Sequence, residues 1–123
     1  MVAWLTPPKC TRNLWGERIV GAAENKTTRA ILEYLAYRGV FAWRNNNAPT
    51  YDSRKGVFRR AISPPGAPDI IGVMPPDGRL LGIEVKTRTG RVSPAQDAFL
   101  TEIQRMGGVG FVARGVKDVE DNL

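Results

Sequence analysis

The sequence predicts one α/β domain with the element order α-β-β-β-α-β, and three observations predict it. A helical stripe runs through residues 24–38, two apolar runs flank the turn "PPDG" at 75–78, and a second helical pattern opens on "SPAQ" at 93 and is followed by the apolar run "VGFVA" at 109–113. At 123 residues the chain has the length of one domain with a modest core.

The first helix is expected over 24–38, "ENKTTRAILEYLAYR", because Thr28, Ile31, Leu32, Leu35 and Ala36 share one face. Gly39 stands where a C-cap glycine belongs. "VFAW", 40–43, is a short strand rich in branched and aromatic residues. The segment 44–68 is long, polar and broken by proline; "SRKG" at 53–56 is a candidate hairpin tip, with "VFRRAI" its return strand. Strands 69–74 and 79–87 are expected to pair through Pro75-Pro76-Asp77-Gly78, a type I turn with proline second and glycine fourth. Ser93 is a good N-cap and Pro94 suits the first helical position, so the second helix runs from there to about Met106, with Phe99, Leu100 and Ile103 on its apolar face. Gly107-Gly108 stop it, 109–113 is the last strand, and "VKDVEDNL" is a short terminal helix. Residues 1–22 have no period and read as an N-terminal arm; the domain is 23–123. Trp4, Leu14 and Trp15 require that arm to pack on its own core or on a second subunit.

Composition narrows the chemistry. No run is long enough to span a bilayer, and the first residues do not have the build of a signal peptide. The single cysteine, Cys10, excludes an intrachain disulfide and a cysteine-based zinc cluster, which makes a reducing cytoplasmic setting the default. The formal charge of +6 rests mostly on arginine and favours a polyanion, nucleic acid first, although solubility alone accounts for such a charge in many domains. There is no histidine. Serine–histidine and cysteine–histidine nucleophiles are thereby excluded, and hydrolysis here requires carboxylates, lysine and a hard, oxygen-loving metal.

The stretch "PDIIGVMPPDGRLLGIEVK", 68–86, carries charges where a buried hairpin would be apolar. With a plain two-residue tip, positions summing to 153 face each other and Asp69 meets Glu84; a bulge at Gly78 would slip this by one. Glu84 and Lys86 share one face of the strand, Ile83 and Val85 the other. In the plain register Asp69, Glu84 and Lys86 converge at one end of the sheet. Paired carboxylates repel and resist desolvation, and a divalent cation removes that penalty; oxygen ligands suit Mg²⁺ or Mn²⁺, with the Val85 carbonyl available as a further ligand. Lys86, kept protonated by these carboxylates, serves as an electrostatic stabiliser that orients water. The plain alternative is a surface ion pair at a strand end.

"PD" followed by "EVK" resembles the Pro-Asp … Glu-x-Lys motif of the PD-(D/E)XK nuclease superfamily. "ENKTTRAILEYLAYRGVFAWRNN" with "GAPDIIGVMPPDGRLLGIEVKTRTGRVSPAQDAFLTEIQRMGGVGFVAR" is similar to its virus-type replication-repair (VRR-NUC) branch over about residues 22–121. The resemblance implies a restriction-endonuclease-like core, a mixed central sheet flanked by helices. It implies that Asp69 and Glu84 bind metal, that Lys86 assists hydrolysis, and that Glu24 completes the metal shell directly or through water. Glu24 precedes Thr28, Ile31 and Leu35 by four, seven and eleven residues and so lies on the core stripe; a first-turn glutamate favoured by the helix dipole is the other reading. Gln96 matches a site glutamine of the second helix, but Ser93-x-x-Gln96 is also a capping box. Gly66 and Gly90 are read either as relieving backbone crowding near the site or as plain loop glycines.

Arg44, Lys55, Arg59, Arg60, Arg88 and Arg91 are the expected nucleic-acid contacts, reading shape and phosphate rather than bases. Tyr51, Phe58 and Trp43 are assigned to core packing ahead of base stacking. The expected activity is a Mg²⁺- or Mn²⁺-dependent DNA endonuclease selective for branched or junction DNA. Stand-alone relatives imply a viral homodimer, acting in the cytoplasm of a host cell. A restriction or homing-type nuclease would need a specificity element that is not visible. A non-catalytic nucleic-acid-binding module of the same fold is the reading from another class, and a basic interaction subunit a weaker one.

Overall fold

The computed structural model describes residues 23–45, 50–59 and 63–123. The elements are α1 (Ala23–Tyr37), β1 (Phe41–Arg44), β2 (Thr50–Asp52), β3 (Val57–Arg59), β4 (Ile70–Met74), β5 (Arg79–Val85), α2 (Pro94–Arg105), β6 (Val109–Ala113) and α3 (Val116–Asn122). Four strands form one sheet in the order β1-β4-β5-β6; β2 and β3 form a separate ribbon. The pairs β1–β4 and β4–β5 are antiparallel, while β5–β6 is parallel. That parallel pair needs a crossover, and α2 supplies it. The α/β order read from the sequence and the mixed sheet that the resemblance implies are both present, and the small hairpin sits around 53–56.

The central hairpin keeps the plain register: Ile70 pairs with Ile83 and Met74 with Arg79. Its turn differs from the type I expectation. The Gly78 N–H donates to the Met74 carbonyl at 2.8 Å across a four-residue loop, the Pro75–Pro76 peptide is cis, and Gly78 takes φ +79°. The pairing does not slip, because the loop holds four residues and Gly78 remains outside the ladder.

One face of the sheet carries the main core. Leu81, Ile83 and Val85 from β5 pack with Ile70, Phe111 and Ala113, and with Ile31 and Leu35 of α1 and Val119 of α3. The stripe on α1 is buried as its period requires, with Thr28 at 2 % and Ile31 and Leu35 at 0 % exposure. Each such aliphatic side chain removed from water contributes about 1.5–3 kcal/mol. On the other face β5 and β6 have paired glycines, Gly82 and Gly110, at the point that α2 crosses. A Cβ on Gly82 would lie 2.6 Å from Ile103 Cδ1 and 3.0 Å from Pro68 Cγ, and one on Gly110 would lie 3.0 Å from the Leu100 carbonyl oxygen. Glycines thus let α2 and the Pro68 turn lie directly on the backbone of the sheet, and that close approach brings the start of α2 over the end of β5. Gly66 seats the same layer: at φ +81°, any Cβ there would collide with the Ala95 carbonyl.

The N-terminal arm, with Trp4, Leu14 and Trp15, lies outside the described residues, as do Arg60 and the side chains of Glu24 and Arg59.

Candidate active site

Glu84 is the penultimate residue of β5 and lies on the α2 face, where only 2 % of it is exposed. Asp69, half-buried, immediately precedes β4, one step beyond the Ile70–Ile83 pair, and so stands opposite Glu84. Its Oδ2 accepts a hydrogen bond from the Val85 N–H at 2.9 Å, which fixes the carboxylate at the strand end. Lys86 follows β5; its Nζ lies 3.5 Å from Glu84 Oε1, and its side chain is 18 % exposed. The convergence read from the register is therefore present, and the pair is no surface ion pair.

Gln96 makes the contacts of a capping box and also reaches Glu84. Its backbone N–H donates to Ser93 Oγ and its Oε1 accepts from the Ser93 N–H, closing the capping box. Its Nε2 then donates to Glu84 Oε1 at 2.8 Å. One amide joins the helix start to the carboxylate, so the cap places the donor.

Glu84 Oε1 receives both Gln96 and Lys86, whereas Glu84 Oε2 is buried with no hydrogen-bond partner among the described residues. Burial first, and then the Asp69 carboxyl beside it, push the Glu84 carboxyl up from 4.5 to about 8, against the opposing pull of Lys86. A buried oxygen without a donor, next to a second carboxylate, is an arrangement that a cation stabilises. The donors are carboxylate oxygens, with no imidazole or thiolate, which fits a hard cation such as Mg²⁺ or Mn²⁺. No group of three or more acidic, histidine or cysteine side chains comes together among the described residues, so Asp69 and Glu84 are the acidic donors they supply.

The backbone around this pair is held by residues the sequence did not single out. The Asn45 N–H donates to the Asp69 carbonyl at 2.7 Å, Asn45 Nδ2 donates to the Pro68 carbonyl, and Ser63 Oγ donates to Asn45 Oδ1 at 2.9 Å. Arg114, just past β6, donates through Nη1 to the carbonyls of Thr87 and of Gly90, the latter at 2.8 Å, and so ties down the loop after Lys86. These contacts join positions 18–27 residues apart and leave no local pattern to read.

Of the expected phosphate contacts, Arg88 and Arg91 are exposed on the loop after Lys86, and Lys55 is exposed at the β2–β3 tip. Arg44 is half-buried and donates to Asn25 Oδ1 of α1. The core-packing assignment fails for two aromatics: Tyr51 is 56 % and Phe58 71 % exposed, because β2–β3 lies outside the main sheet. Trp43 is half-buried on β1, edge-to-face with Phe41 at 5.5 Å. An apolar groove of about 460 Å³ between Leu80, Phe99, Ile103 and Met106 lies at the other end of β5 and is separate from these carboxylates.

The family described as the VRR-NUC domain matches residues 22–117, from the start of α1 into α3. The chain belongs to the VRR-NUC family. No curated protein and no solved structure matches it. The VRR-NUC assignment makes its function one of the nuclease type, with nucleic acid as the partner. VRR-NUC domains are typically dependent on divalent metal, in keeping with the carboxylate pair. No helix among the described residues is long and apolar enough to cross a membrane.

Proposed function

We propose that the protein is a divalent-metal-dependent endonuclease that hydrolyses DNA phosphodiester bonds, selective for branched or junction DNA and acting as a homodimer in the cytoplasm of the host cell of a virus. The observation that carries the reading is the buried, donorless Glu84 Oε2 opposite Asp69, with the Lys86 ammonium 3.5 Å from the other Glu84 oxygen. Asp69 and Glu84 would hold Mg²⁺ or Mn²⁺, with the Val85 carbonyl and Glu24 as further ligands. Such an ion, when bound, supplies Lewis acidity and lowers the pKa of water. Lys86 orients the attacking water and stabilises charge as it grows on the phosphate oxygens. Gln96 fixes the Glu84 rotamer, so the carboxylate does not turn toward Lys86 alone. In-line attack leaves a 5′-phosphate and a 3′-hydroxyl.

What supports the homodimer is that one site incises one strand, whereas a twofold pair of sites would match the two related strands of a junction. Deletion of 1–16 distinguishes an arm that joins that interface from one that packs on its own core.

The test is cleavage of nicked, flapped, duplex and four-way DNA with and without Mg²⁺. Metal-dependent cutting is expected, fastest on a branched substrate, and abolished in Asp69→Ala and in Glu84→Ala without loss of fold. Binding without metal-dependent cutting would instead identify a non-catalytic module. Light scattering should give twice the chain mass, and deletion of 1–16 should shift it toward the monomer; a monomer at tens of micromolar, with or without DNA, would remove paired incision.

A further inference from the structure

The ribbon β2–β3 carries apolar side chains with no core to enter. Tyr51 and Phe58 are register partners, stacked edge-to-face with ring centroids 5.2 Å apart and planes at 61°. They remain 56 % and 71 % exposed, and Val57 beside them is 52 % exposed. Cross-strand aromatic pairs stabilise a ribbon. That role accounts for the contact between the rings, but aliphatic residues on a ribbon meet it as well, and it does not require two open π-faces.

Two further features point to a ligand. The tip between the strands is Ser53-Arg54-Lys55-Gly56, with both cations exposed. Asp52 Oδ1 accepts the N–H groups of Arg54 and Lys55 at 3.0 and 3.3 Å, which orders the tip beneath them. The ribbon is also tethered at the candidate site. The excursion leaves at Asn45, whose N–H holds the Asp69 carbonyl, and returns at Ser63, whose hydroxyl holds the Asn45 side chain. Five chain steps from Asn45 to Thr50 reach no more than about 18 Å. The aromatic pair is thus confined to within a few nucleotides of Asp69.

We infer that Tyr51 and Phe58 form a stacking platform for unpaired DNA bases beside the site of incision, with Arg54 and Lys55 on the flanking phosphates. Bases inside a duplex have no free face to offer, whereas those at a flap, a gap or a junction crossover do. Aromatic platforms in basic surroundings hold single strands in this way, without sequence preference. The inference rests on the nuclease reading for its location but not for its chemistry, and it supplies that reading with a physical source of branch selectivity.

The experiment compares the full chain with a Tyr51→Val/Phe58→Leu variant, in which cross-strand apolar contact and strand propensity are kept and both π-faces are lost. Fluorescence anisotropy in chelator measures binding to an oligothymidine strand and to a blunt duplex with the same number of phosphates. The variant is expected to lose about tenfold or more on the single strand, the scale of one or two stacked bases, and much less on the duplex. Phe58→Trp is expected to bind the single strand as the parent does. Bromodeoxyuridine in the strand should photocrosslink to Tyr51 or Phe58. Equal losses on both DNAs, unchanged single-strand binding by the variant, or crosslinks that avoid both rings would each overturn the platform. Cleavage with Mg²⁺ is scored separately: a parent that stacks single strands but cuts nothing keeps the platform and loses the nuclease, and the reverse result does the opposite.

Discussion

Between pH 4.5 and about 8, Glu84 keeps a proton in the folded chain that it has already lost when unfolded. The folded state then binds more protons than the unfolded one, so stability falls as pH rises through that window. With chelator present, the melting temperature is expected to decline from pH 5 to pH 8, and Glu84→Gln, which presents no charge to bury, should flatten the decline; a parent curve that rises across the same range would remove the raised acid. At the proposed site a divalent cation would displace that proton, so adding Mg²⁺ should release acid below pH 8, readable as a buffer-dependent heat in calorimetry. The acidic pair was legible in the sequence because a period of two and a turn of known length fix which residues face each other. The second contact of Gln96 was not. A capping box is complete with the glutamine oxygen alone, and only the fold shows where the amide nitrogen goes.

At the scale of the element, α2 is positioned by what is missing beneath it. Gly82→Ala would press a methyl group into Ile103 and Pro68. A loss of about 1–3 kcal/mol is expected, together with slower cleavage than that loss of stability explains, because lifting α2 separates Gln96 from Glu84; denaturant titration beside single-turnover rates checks it. Arg114 acts on an element in the opposite way, by gripping it. Arg114→Ala should release the 87–90 loop, raise amide exchange at 88–91 and weaken DNA binding by severalfold, while the sheet keeps its protection. Unchanged exchange in that loop would show that the grip is idle. The strands and helices themselves were readable from periodicity, caps and turn residues, to within a residue or two. Arg114 and Asn45 were invisible for a physical reason: their partners are carbonyls far along the chain, and a backbone carbonyl leaves no mark in a sequence. The β2–β3 aromatics misled because strand propensity reports a pleated, half-buried surface, and here the ribbon has no second layer to bury it.

For the whole molecule, a charge of +6 without histidine sets how it meets a nucleic acid. Affinity should fall linearly with salt on logarithmic axes, and removing Arg88 or Arg91, both exposed beside Lys86, should each flatten the slope by about one. A changed base preference with an unaltered slope would mean readout instead of phosphate contact. The fold class was legible at this scale because the element order allows few arrangements; the excursion between Asn45 and Ser63 was not, since nothing local shows where a long polar segment is tied down.

The sheet's mixed pairing also sets an order of assembly. The β4–β5 strands meet across four residues, whereas β5 meets β6 only after the chain has passed through α2. Local closure demands less chain entropy than distant closure, so contacts of the first kind form early and those of the second kind late. Asp69 and Glu84 are thus brought face to face while Gln96 and Arg114 are still to arrive. Truncations in β4–β5, such as Ile83→Val, should slow refolding, and truncations in β6, such as Val112→Ala, should mainly hasten unfolding. Chevron plots with the two sets reversed would place the nucleus on the crossover instead. In the expected order, the two carboxylates repel each other in a half-built chain, and their mutual approach becomes a tax on the folding rate that divalent cations in the refolding buffer should relieve.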